Sequence, residues 1–171
     1  MQNEPSVARV ALKYGLITAV VSIIYNTILI IAEQNQNQTL SMLGLVILVV
    51  GMVYAMREFK SNNDGFMSYG QGLSIGTMLA AISGLLGSIF LIFYSQFIDT
   101  NYIQKMLDNS QADMERRGMS DVQIEAGMGF SEKLMSPGIM FAVGVFFSIF
   151  FGFIIALIVS AIMRRNRPVF E

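Results

Sequence analysis

Charged residues are missing from four long runs of the chain, residues 14–32, 40–56, 65–98 and 134–163, and crowd into the segments between them. A helix rises about 1.5 Å per residue, so roughly 20 apolar residues match the ~30 Å hydrocarbon layer of a bilayer. Each run therefore predicts a membrane-crossing helix, and the spans are expected at about 10–32, 40–58, 70–97 and 138–163 of a single domain. The third run is longer than one crossing needs. Its opening, with Ser68, Tyr69, Gly70 and Gln71 close together, is expected at the interface or as a helical extension into water. The first run is read as a retained span: it is long for a signal peptide and ends in Ile-Ile-Ala-Glu-Gln, not in a small-residue cleavage site.

The polar segments supply the punctuation. Ser6 after Pro5 is an expected helix cap, residues 33–39 form a short polar turn, and Arg57, Glu58, Lys60 and Asp64 form a charged loop in which Asn63 or Asp64 is the expected cap of the next helix. Residues 99–135 are the one sizeable aqueous segment. Within it Tyr102, Ile103, Met106, Leu107, Ser110 and Met114 recur at helical spacing, predicting an amphipathic helix that ends by Gly118. Ser120 with Gln123 has the spacing of a capping box for a second short helix, and Ser136 with Pro137 marks the start of the fourth span.

Charge then orients the spans. Arg9, Lys13, Arg57, Lys60, Arg164, Arg165 and Arg167 fall on one side if the helices alternate, whereas the 99–133 segment carries seven acids against four bases. Cations in short segments stay with the cytoplasm, so both termini are expected inside. The predicted class is an all-α integral membrane four-helix bundle, both ends in, with a short amphipathic helical extracytoplasmic loop between helices three and four.

Composition narrows the chemistry. Charged residues make up 13% of the chain and hydrophobic residues 54%, against roughly 25% charged in a soluble domain. Histidine and cysteine are both absent. That removes disulfides, thiolate and imidazole metal ligands, and nucleophile–base pairs built on Cys or His. The four apolar runs contain no Asp, Glu, Lys or Arg at mid-membrane, where proton- or ion-coupled transporters usually keep one. No catalytic, cofactor-binding or metal-binding residue is predicted, and no nucleic-acid partner. Asp108, Asp113 and Glu115 read as a solvated helix face. Asn37-Gln38-Thr39 reads as a chance glycosylation sequon. Arg164, Arg165 and Arg167 could meet anionic lipid but are explained as a topology determinant.

Two patterns remain. Gly72, Gly76, Ala80, Gly84 and Ser88 follow each other at steps of four on span three, and Gly144, Ser148, Gly152, Ala156 and Ser160 do so on span four. Such stripes let backbones approach closely in lipid, either between the two spans of one subunit or in a dimer. Packing within one subunit is the simpler reading. Thr18, Ser22 and Asn26 share a face of span one, beside small residues at Ala11, Gly15 and Ala19. Interhelical hydrogen bonding accounts for them, and a polar path is the sharper alternative.

Four pieces stand in order along the chain: Lys13-Tyr14-Gly15-Leu16-Ile17, FMSYGQGLSIG over residues 66–76, Phe97-Ile98-Asp99 and the exit IVSAIMRR over residues 158–165. Their order resembles a known group of bacterial membrane proteins, the domain of unknown function 4199 family, mostly from Bacteroidetes. Thr100 stands where the family pattern has proline. The resemblance implies a bacterial inner-membrane protein and brings no activity, cofactor or functional residue. The expectation is a non-enzymatic structural or interaction component, with the lipid bilayer and a homo-oligomeric or membrane-protein contact as its partners. The second expectation is a small oligomeric channel or facilitator lined by helices one and three.

Overall fold

The computed structural model describes residues 5–35 and 37–167. Met1 to Glu4 of the polar lead and Gln36 of the first turn lie outside the described residues. Among the described residues there are six α-helices: α1 (Val7–Ile31), α2 (Gln38–Ser61), α3 (Tyr69–Phe93), α4 (Tyr102–Arg116), α5 (Asp121–Leu134) and α6 (Pro137–Met163). A π-helical turn, Tyr94–Ile98, prolongs α3. Among the described residues there is no strand beyond an isolated bridge between Met67 and Arg165. Four helices, α1, α2, α3 with its π turn, and α6, are long and apolar enough to cross a membrane.

The chain divides into two compact units, one of residues 1–87 with 145–171, the other of residues 88–144. In the first, α1 and α2 pack with the opening part of α3 and the closing part of α6 around a core that includes Met52, Met56, Phe59, Ile75, Leu79 and Ala156, all fully buried. The outward surface is apolar. Ile31 is 73% exposed, Phe146 62% and Ile162 76%, and phenyl rings stack along α6 at Phe146 with Phe150 and at Phe147 with Phe151. Large apolar patches of this kind are rare on proteins that live in water, whereas hydrocarbon solvates them.

Local rules place the helix ends. The Ser6 hydroxyl accepts from the Arg9 amide at 3.4 Å, and the Asn37 side chain accepts from the Thr39 and Leu40 amides at 3.1 and 3.3 Å. The sequon asparagine is therefore engaged as the cap of α2. The cap of α3 is Ser68, not Asn63 or Asp64: the Ser68 hydroxyl accepts from the Gln71 amide while the Gln71 side chain accepts from the Ser68 amide. Asn63 turns back into the loop instead, donating to the Phe66 carbonyl at 2.9 Å.

The second unit is a helical hairpin, α4 against α5, with the end of α3 and the start of α6. Ser110 and Ser131 hydroxyls meet at 3.5 Å, and Met114 lies so close to Gly127 that a Cβ there would come within 2.8 Å of its sulfur. Tyr94 and Tyr102 pack edge to face at 5.7 Å. The Gln123 side chain accepts from the Ser120 amide at 3.0 Å, the reciprocal half of the predicted capping box. Ser136 stands just before Pro137, but its hydroxyl donates backwards to the Lys133 carbonyl at 2.8 Å and closes α5.

Candidate functional site

Small residues on α3 and α6 meet in pairs whose numbers rise by four on one helix as they fall by four on the other, so the two run antiparallel in a fixed register. Gly72 faces Ser160, Gly76 faces Ala156, Ala80 faces Gly152 and Gly84 faces Ser148. A Cβ added at Gly76 would stand 2.6 Å from the Ala156 Cβ, and one at Gly152 or Gly84 would come closer still to Ala80 or Ser148. The Ser148 hydroxyl donates to the Ala80 carbonyl at 2.9 Å across the same seam. Ser88 and Gly144 form a corresponding pair within the second unit. The physical reason is that lipid gives no hydrophobic reward for helix association, so dispersion contact at close backbone approach has to hold the pair.

Two further contacts extend this packing to α1. The Ser83 hydroxyl donates to the Gly15 carbonyl at 3.0 Å, and a Cβ on Gly15 would stand 2.9 Å from Ile82. Thr18 is buried and fits against Gly51 of α2. Asn26 is exposed and folds its carboxamide back to the Ser22 carbonyl at 2.8 Å. Thr18 and Asn26 thus meet different surroundings, the one enclosed against α2 and the other exposed and bonded to the Ser22 backbone one turn back.

The charged ends show contacts that spacing alone does not reveal. Glu58 accepts from both Lys13 and the Tyr14 hydroxyl, tying the start of α1 to the end of α2. Met67 and Arg165 exchange two backbone hydrogen bonds of 2.9 Å, which pins the α2–α3 loop to the tail after α6. The Lys60 ammonium donates to the Met163 carbonyl at 3.1 Å. Arg167 reaches Asn63 at 3.0 Å and Asp64 at 3.4 Å, and both Arg165 and Arg167 lie over the Phe66 ring. The start of α1, the α2–α3 loop and the tail after α6 therefore share one end of the first unit.

Residues 13–165 match the family described as protein of unknown function (DUF4199). The chain belongs to that family. The DUF4199 match begins at Lys13, one partner of Glu58, and closes at Arg165, one partner of Met67, so it takes in the whole seam and both ties at the charged end. No curated protein and no solved structure matches the chain. Membership of DUF4199 thus agrees with four membrane-length apolar helices and assigns no reaction.

Proposed function

We propose that the protein is a multi-pass inner-membrane component without enzymatic activity that acts through helix packing and contacts with partners. It is a four-helix bundle with both termini in the cytoplasm and the α4–α5 hairpin outside. The observation that carries this reading is the material between the spans. Glycine, alanine, serine and methionine share it with Phe59, Ile75 and Leu79, and the helix-to-helix hydrogen bonds there come from hydroxyls such as Ser83 and Ser148 to backbone carbonyls. Such contacts hold helices together and activate no nucleophile. On the hairpin, Val122 is 76% exposed and Phe130 64%, apolar surface suited to contact with a neighbouring membrane protein.

The test exploits a chain that contains no cysteine. With Asn62→Cys or Asn109→Cys, a membrane-impermeant maleimide added to intact spheroplasts should label position 109 at once and position 62 only after permeabilisation. The reverse pattern would overturn the orientation. The same protein in proteoliposomes should leave a proton or potassium gradient intact, and a leak above that of empty vesicles would favour a channel.

A further inference from the structure

At the charged end an open pocket of about 280 Å³ lies between the loop before α3 and the tail after α6. Its walls include Asn63, Phe66, Ser68, Gln71, Arg165 and Arg167. The Phe66 ring carries both guanidinium groups, Arg165 at 5.6 Å and Arg167 at 5.9 Å from its centre. Backbone pairing of Arg165 with Met67 fixes where these side chains start. Arg167 is partly neutralised by Asp64, but no carboxylate pairs with Arg165 among the described residues. The first turn of α3 enters the same pocket at Ser68 and Gln71, bringing the positive end of a helix dipole.

We infer that this pocket binds the phosphate of an anionic lipid headgroup. Planar guanidinium groups match phosphate oxygens in pairs, and an aromatic ring attracts both cations without taking up their N–H donors as a carboxylate would. Depth selects lipid as the source of the phosphate. Arg165 lies two residues beyond Met163, the last residue of an apolar helix of membrane length, which is where headgroups meet a span. A topology determinant needs only the charge of these arginines; it needs neither the shared ring nor the pocket.

The experiment uses the full chain in detergent and native mass spectrometry, with dihexanoyl-phosphatidylglycerol as the probe, dihexanoyl-phosphatidylcholine as the zwitterionic comparison and glycerol 3-phosphate as the soluble phosphate. Phosphatidylglycerol should bind in preference to both. Arg165→Gln with Arg167→Gln should weaken that binding roughly thirtyfold, from the usual contribution of two basic side chains at a lipid surface. Arg116→Gln with Arg117→Gln, at the end of α4, should leave it unchanged. If the first pair fails to elute as folded protein, Phe66→Leu is read in its place and should weaken binding several-fold. Equal binding of phosphatidylcholine, or full binding by the Arg165/Arg167 or Phe66 variants, would overturn the site. Glycerol 3-phosphate binding as tightly as the lipid would overturn lipid as the source of the phosphate.

Discussion

Gly152→Leu should lower the thermal stability of the protein in detergent by about 3 kcal/mol or more, since overpacking a close contact typically costs 1–3 kcal/mol and here a whole side chain enters. For a chain of this size that corresponds to a fall of roughly 10 °C in melting temperature. The cause is local and steric: even one Cβ at position 152 would overlap the Cβ of Ala80, and the next atom behind it is the α3 backbone at 3.6 Å. Backbone cannot rotate out of the way as a side chain can. Gly76→Leu should behave alike against Ala156. Gly44→Ala provides the contrast, because nothing lies within 4 Å of its added carbon, and a helical Gly→Ala change there should be neutral or raise stability by about 0.5–1 kcal/mol. Unaltered melting of the Gly152 variant would mean that α3 and α6 do not approach as described.

Phe59→Ala should cost about 3–5 kcal/mol, the usual range for truncating a fully enclosed aromatic ring. Phe59 is fully buried in the cluster that also holds Met56 and Met67, and it sits between Glu58 and Lys60, at the charged end of α2. That location matters. A ring deep in a bilayer can turn to lipid at little loss, because hydrocarbon tails solvate it as well as protein does. A ring beside charged groups at the end of a span has water as its alternative and keeps the full hydrophobic contribution. Phe146→Ala, on the exposed face of α6, should by the same reasoning change stability by less than about 0.5 kcal/mol. Chemical denaturation in mixed micelles, followed by circular dichroism, would compare the two. Equal effects would argue against separate inner and lipid-facing surfaces.

Much of this was legible in the sequence because a bilayer imposes simple rules. Four uncharged runs announce four long helices, and small residues at steps of four announce faces suited to close approach. The family, too, was legible from ordered motifs such as Lys13 to Ile17 and FMSYGQGLSIG. Partner and register were not, because Gly76 opposite Ala156 is a relation between residues 80 positions apart, and no local spacing encodes it. Glu58 was read as part of a loop because charge marks water. In the structure α2 simply continues to Ser61, and the carboxylate gains Lys13 and Tyr14 from α1. The α3 cap shows competition among signals: Asn63, Asp64 and Ser68 are all good capping residues, but only Ser68 has Gln three positions on to complete the reciprocal pair. That spacing stood in the chain all along. The tie between Met67 and Arg165 had no sequence signal, being made entirely by backbone atoms.

The most direct measurement is disulfide formation in native membranes between Ser88→Cys and Gly144→Cys. A Cβ at 144 would lie 3.6 Å from that of Ser88, inside the roughly 3.5–4.5 Å range a disulfide needs. After oxidation and cleavage at Arg117, between α4 and α5, the two fragments should stay joined on a non-reducing gel, while Ser88→Cys with Ala142→Cys should yield separated fragments. Separation of the 88/144 pair, or its appearance only as a crosslink between two chains, would contradict antiparallel packing of α3 and α6 within one protein.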